Sequence, residues 1–322
     1  MSTADELVSV LVPVYNRADL IEEAVRAALA QTYPTIEVVV VDNASTDGTW
    51  QRLVELASTD SRVRIFRNDA NLGPVRNWLA CVGHARGSYC KILWSDDLVS
   101  DDFIASTLPL MRDPEVGFVY TAATVFEATP SDTDRVLYAR LGSGIHASSV
   151  FIKGSLLGGD FPVSPGCAIF RMADVRKNLL LHVPNRIGSD FSMHAIGNDL
   201  LLLLLTAADY PKFGVVSRPL SQFRSHPGSI TVGSTGGRLQ LHYDVAKAAF
   251  VEMTKPPENL VRRFNAALRI DLMRFDGSTY GIRRVADFYE SGNAKARPAT
   301  VAREIAGRIL LKAADRVRRA AT

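Results

Sequence analysis

The chain has 322 residues, 47% hydrophobic and 22% charged, with 3 cysteines and a formal net charge of +3. These values fit a soluble globular protein of one large or two ordinary domains and exclude disordered, collagen-like and coiled-coil readings. The longest apolar run, Leu200 to Leu205, falls well short of the roughly 20 residues that cross a bilayer, and the acidic MSTADELVSV start lacks the basic region of a secretion signal. Cys81, Cys90 and Cys167 sit in apolar company without CxxC spacing, which points to a reducing, cytoplasmic setting without structural zinc. Between Lys295 and Arg319 the chain carries a local charge of +6, so the remainder stands at −3; the body is no nucleic-acid binder and only the tail is basic.

In chain order, LVSVLVPVY (Leu7 to Tyr15) and IEVVVVD (Ile36 to Asp42) are unbroken, β-branched apolar runs, the pattern of strands covered on both faces of a parallel sheet. Between them Leu20, Ile21, Ala24, Val25, Ala28 and Leu29 recur at helical spacing, which completes a βαβ unit with a right-handed crossover. A helix follows from about Asp47 to Ala57, a short strand at Val63 to Phe66, a helix from Gly73 to His84, and a strand from Tyr89 to Trp94 that ends in Ser95, Asp96 and Asp97. Further strands are expected at Val116 to Thr121, at Gly166 to Phe170 and from Phe213, with a buried helix starting at Asp199. The polar, Gly-rich stretch from Leu141 to Pro165 reads as a long loop, either a binding lid or an ordinary surface hairpin. From Gly237 the residues favour helix, with a break at Pro256-Pro257 and a basic last helix.

In an open parallel sheet, ligands bind beyond the carboxyl ends of the strands. Those ends carry PVYNR (Pro13 to Arg17) and VDNASTDGT (Val41 to Thr49). Asp42 either accepts a hydrogen bond from a nucleobase N–H or caps the following turn, although Asp47 is better placed for a cap. In NLGPVRN (Asn71 to Asn77) a helix N-terminus beside Arg76 suits a phosphate; the alternative is a solvated surface arginine. The adjacent carboxylates Asp96 and Asp97 repel unless a cation or donor compensates them, and hard oxygen ligands suit magnesium or manganese. A helix cap is the competing account, for which Asp101 and Asp102 are better placed.

The ordered set SVLVPVYNR, VVVDNASTDGT, NLGPVRN, ILWSDD, PGCAIFR, GNDLLLLL and QFRSHPGSIT resembles the inverting family-two glycosyltransferases of the GT-A fold, over residues 7 to about 232. The resemblance implies an α/β fold: a Rossmann-like mixed sheet with helices on both faces, plus C-terminal helices. Residues 1–236 would form the GT-A domain, 1–100 binding the nucleotide sugar and 101–236 the acceptor, and 237–322 a helical extension. It implies a nucleoside diphosphate sugar donor, a divalent metal (manganese or magnesium), and a glycan, lipid-linked or small-molecule acceptor. Carried over by position, Pro13, Tyr15, Asp42, Asn43, Arg76, Ser95 and Asp96 line the donor site; Asp96, Asp97 and His226 hold the metal; Asp199 is the base. The family's metal motif is commonly Asp-x-Asp-Asp, and its first aspartate falls on Trp94 here. His226 is the natural candidate to complete the metal site, with Arg224 beside it, though a lone histidine is more often structural. Asp199 opens the acceptor-side helix, where it also suits an N-cap, and Asp190 is the reserve base.

The rival readings are a nucleotidyltransferase, which PVYNRADL argues against by lacking glycine and lysine, and a non-catalytic nucleotide-sugar-binding relative, which Trp94 favours. The tail carries Val301, Ile305 and Ile309 beside Arg308, Lys312, Arg316, Arg318 and Arg319. It either lies on an anionic inner membrane face or packs on the catalytic domain or a second subunit; packing is favoured because the stripe is narrow and lacks Trp and Phe.

Overall fold

β1 (Val8–Val14) and β2 (Ile36–Asp42) are buried along their whole lengths, which is why both read as continuous apolar runs rather than alternating ones. In the structure, a computed structural model that describes residues 6–131, 133–226, 228–229, 233–234 and 236–320, with side chains through 310, they pair in parallel. β3 (Val63–Arg67) adds in parallel to β2, and β4 (Tyr89–Ile92) adds in parallel to β1 on its other side. α1 (Ile21–Leu29), α2 (Thr49–Thr59) and α3 (Pro74–His84) make the crossovers. The order β3-β2-β1-β4 reverses between β1 and β4, so a crevice opens beyond their carboxyl ends.

The chain then forms β5 (Leu98–Val99), α4 (Phe103–Met111), β6 (Val116–Phe126), β7 (Arg135–Leu137), β8 (Gly144–Ala147), α5 (Ser148–Leu157), β9 (Ala168–Arg171), α6 (Met172–Asn178), α7 (Phe191–His194), α8 (Asn198–Asp209) and β10 (Lys212–Arg224). β9 lies antiparallel between β4 and β6, β10 runs parallel to β6, and β5 pairs antiparallel with β10 at the edge. One face of the sheet, with Val8, Val10, Val12 and Val14 of β1, packs against α1, α2 and α4 through Ile21, Val25, Leu53, Phe103 and Ile104. α3 packs on β1 and β2 with Val75, Trp78 and Cys81, outside that cluster. Each such large side chain, fully buried, contributes about 1.5–3 kcal/mol.

Three expectations are corrected. The stretch from Leu141 to Pro165 is not one long loop, because β8 and α5 occupy residues 144–157 of it and α5 buries Phe151 and Leu156. β6 and β10 run on to Phe126 and Arg224, β10 with register shifts around Pro219. The second helix begins at Thr49, since the Asp47 carboxylate is spent in the preceding turn on the Ala18 and Thr49 N–H groups.

The structure divides into one unit of Met1–His182 with Asp190–Gly233 and another of Val183–Ser189 with Ser234–Thr322. The second contains α9 (Arg238–Thr254), α10 (Glu258–Arg274) and α11 (Pro298–Ala320). α11 packs on α10, with Glu304 paired to Arg263 and Arg308 lying 3.9 Å from Asp271. Ile309 is 62% exposed, and the side chains of Lys312, Arg316, Arg318 and Arg319 lie outside the described residues. No helix among the described residues is long and apolar enough to cross a membrane.

Candidate active site

Asp42 ends β2 wholly buried. Its Oδ1 accepts the Ser45 N–H at 3.0 Å, whereas Oδ2 has no hydrogen bond and lies 3.2 Å from Nε of Arg67. An acceptor left over at a strand end is costly unless an N–H donor reaches it. Pro13 is buried within β1 opposite Val41, and Tyr15 just beyond it is 39% exposed.

Asn43 does something the sequence did not reveal. Its Nδ2 donates to Asn71 Oδ1 and to the Gly73 carbonyl, while its Oδ1 accepts from Asn68 Nδ2 and the Leu72 N–H. Asn68 also donates to Asn77 Oδ1, and Asn77 Nδ2 donates to the Val41 carbonyl at 3.0 Å. Four asparagines therefore satisfy one another and brace the ends of β2 and β3 against the start of α3. The side chain of Asn43, expected to touch the donor, is saturated by this frame. Gly73 sits within it at a φ of 82°, where a Cβ would meet Met193 Sδ at 2.8 Å.

The turn after β4 carries the acidic pair. Asp96 Oδ2 lies 2.9 Å from Nε2 of His226, beyond β10, and 3.8 Å from Nε of Arg17, beyond β1. Asp97 faces elsewhere: its carboxylate is buried and its Oδ1 accepts the Arg224 N–H at 2.8 Å. Burial, then the neighbouring Asp96 charge, push the proton affinity of Asp97 well above the ordinary carboxylate range. Arg224 donates to the Asp96 carbonyl and to Glu23, and stacks over Phe126 at 4.6 Å. Asp97 and Arg224 thus hold the turn in place, while Asp96 and His226 present their polar atoms to each other. Ser95 is 8% exposed within the turn.

Among the described residues no group of three or more His, Cys, Asp and Glu side chains could hold a metal. Asp96 and His226 form a two-donor set, which fits a cation whose remaining ligands come from substrate phosphates rather than a closed protein cage. Trp94, where the motif departs, donates its indole N–H to Ser164 Oγ at 2.9 Å and packs on Trp78.

Asp199 lies in the first turn of α8, and its Oδ1 accepts the N–H groups of Gly197 and Leu200. The residues Pro165 to Cys167 form a single 3₁₀ turn that packs against both α8 and β4. Asp190 instead caps α7 and accepts from Ser192, whose hydroxyl also receives Nη1 of Arg76 at 2.8 Å. The Ser192 hydrogen bond and the Arg76 charge hold the Asp190 carboxyl below its usual range. Arg76 is therefore tied to Asp190 through one hydroxyl.

A family model described as glycosyl transferase family 2 matches residues 9–179. A curated relative, the UDP-Glc:alpha-D-GlcNAc-diphosphoundecaprenol beta-1,3-glucosyltransferase WfaP of Escherichia coli, is 34% identical over 116 residues, 36% of this chain and 45% of that protein. The chain spans about half the length, or less, of the curated relatives it matches. Among solved structures, S. aureus TarS 1-349 in complex with UDP-GlcNAc superposes with a TM-score of 0.61 at 17% identity, over 83% of this chain and 72% of that one. The mannosyltransferase PcManGT from Pyrobaculum calidifontis, in complex with GDP-Man and Mn2+, gives 0.50 at 19% identity, over 96% and 81%. These likenesses show a GT-A fold. His226 and Asp199 lie outside the stretch that the family model matches.

Proposed function

The chain belongs to glycosyl transferase family 2, and on that premise we propose that it transfers a sugar from a nucleoside diphosphate sugar to an acceptor hydroxyl with inversion at the anomeric carbon. The observation that carries this reading is the convergence on Asp96 of His226, at 2.9 Å, and Arg17, at 3.8 Å, beyond the carboxyl ends of β1 and β4. Three distant segments there bring together a carboxylate, an imidazole and a guanidinium, a set suited to a diphosphate and its counter-ion.

Asp96 and His226 would hold a divalent cation, manganese or magnesium. When bound, that ion neutralises the charge that develops on the leaving diphosphate. Asp42, whose Oδ2 makes no hydrogen bond and faces Arg67 Nε at 3.2 Å, and Tyr15, 39% exposed, receive the nucleoside. Arg17 and Arg76 supply positive charge toward the phosphates. Asp199 accepts the proton of the acceptor hydroxyl as the new C–O bond forms, a contribution of about 10² to 10⁴ in rate. Because the base and the leaving group stand on opposite sides of the sugar, displacement inverts the anomeric centre.

The nucleoside assignment is supported by the UDP-GlcNAc complex of the TarS fold relative, and a divalent metal by the Mn2+ of the mannosyltransferase complex. A diphosphoundecaprenol-linked acceptor in the name of WfaP favours a lipid-linked acceptor here, reached from the cytoplasmic face of a membrane. The deciding experiment is a thermal-shift panel of nucleoside diphosphates and their sugars with and without manganese, followed by donor turnover. A ligand that binds only the native state raises the melting temperature with concentration. A panel in which no nucleotide stabilises the protein rejects the reading; stabilisation without turnover of donor would mark a binding protein instead.

A further inference from the structure

Lys91 lies in the middle of β4, 1% exposed, in a strand buried at every position. An ammonium in such a place is kept only where its donors are used. Its Nζ donates to the Ile92 carbonyl at 3.0 Å and to the Gly166 carbonyl, and it stands 4.7 Å from the centre of the Phe103 ring. Burial draws its pKa down to about 8, opposed by the nearby Asp97 carboxyl.

Gly166 belongs to the turn already seen to touch both β4 and α8. Ser164, at its start, accepts both the Trp94 indole N–H and the Gly166 N–H. A Cβ on Gly166 would lie 2.8 Å from Trp94 Nε1, so the indole rests directly on the glycine backbone. Lys91 from inside the sheet and Trp94 from its end therefore grip one turn at two points. Trp94 immediately precedes the acidic turn with Asp96, and α8 on the far side carries Asp199.

We infer that Lys91 is a positioning residue: its ammonium, fixed on the Gly166 carbonyl, sets the place of the Ser164–Cys167 turn and so the spacing between the Asp96 and Asp199 sides of the site. The kinetic part of this inference rests on the transfer reading above; the geometric part rests on Lys91, Gly166 and Trp94 alone.

Lys91→Met tests it. Removing the ammonium takes a donor from the buried Ile92 and Gly166 carbonyls, so the melting temperature is expected to fall by several degrees while UDP affinity holds. Hydrolysis of UDP-glucose or UDP-GlcNAc with manganese is expected to fall in kcat by about 10- to 100-fold, as a displaced reacting geometry does, with little change in KM. Trp emission is expected to shift, and the shift to vanish in a Trp94→Phe background. Ser164→Ala, which loosens the same turn from the other side, reproduces both effects and serves where Lys91→Met does not fold. Unchanged kcat together with unchanged Trp94 emission overturns the inference. Should the wild-type protein hydrolyse neither donor, the transfer reading for those donors fails, and the Trp94 emission alone decides whether Lys91 places the turn.

Discussion

His226 Nε2 and Asp96 Oδ2 lie 2.9 Å apart although 130 residues separate them in the chain. Two substitutions test what this pair is for. Asp96→Asn keeps the shape but removes the negative charge, and donor turnover is expected to fall by at least about 10²-fold, the usual cost of losing a transition-state charge contact. His226→Ala is expected to raise the manganese concentration needed for half-maximal turnover by about 10- to 100-fold. Manganese titrations of donor hydrolysis read both; unchanged half-saturation in His226→Ala removes the histidine from the metal site.

Asp199 and Asp190 are separated by their partners. Asp190 caps α7 and is locked on Ser192 through both backbone and hydroxyl, whereas Asp199 Oδ1 accepts the Gly197 and Leu200 N–H groups in the first turn of α8, the helix that packs on the 3₁₀ turn. Asp199→Asn is expected to lower transfer kcat by about 10²- to 10⁴-fold with donor affinity kept. Asp190→Asn is expected to leave kcat within severalfold of wild type. The reverse ranking in single-turnover assays would move the base to Asp190.

The asparagine frame predicts a stability effect at a residue that carries no chemistry. Asn43→Ala deletes four hydrogen bonds and leaves the Leu72 N–H without its acceptor and Asn68 Nδ2 with only Asn77 in a part-buried setting. A loss of about 2–3 kcal/mol is expected, read as a lower urea midpoint at constant slope. A midpoint equal to wild type would mean that water replaces the frame.

In the C-terminal unit, burial and then the nearby Asp244 raise the Asp271 carboxyl to about 6, against the pull of Arg308, Lys247 and Arg274. Asp244 pairs with Lys247 at 3.1 Å and keeps one unpartnered buried oxygen. A carboxyl whose folded pKa is raised binds more protons folded than unfolded between about pH 4 and 6, so it lowers stability as pH rises through that window. The unit is therefore expected to melt higher at pH 5 than at pH 7.5. Asp271→Asn should flatten that difference, as followed by calorimetry across the window.

The first half of the fold was legible because β1 and β2 are covered on both faces and show unbroken apolar runs, and because α1 repeats its apolar residues at helical spacing. α5 escaped notice because Ser148, Ser149, Gly154 and Ser155 dilute its pattern, although Phe151 and Leu156 anchor it. β10 looked short because Ser217, Arg218 and Pro219 interrupt its apolar run, while in the sheet it shifts register at the proline and continues. The family resemblance put Asp96 and His226 in one site, yet it could not separate Asp96 from Asp97, whose difference lies in the Arg224 backbone bond. Nor could it separate an asparagine facing a ligand from one saturated by its neighbours. Lys91 carried no signal of its own in the strand from Tyr89 to Trp94, because its partner Gly166 lies 75 residues away.

The rim between β2, β3 and α3 is built from carboxamides, which neither gain nor lose a proton in the range where proteins work. A change of acidity therefore leaves the hydrogen bonds of this border intact. The ends of β2 and β3 and the start of α3 thereby keep one outline across that range, whatever happens to ionisable groups elsewhere in the chain.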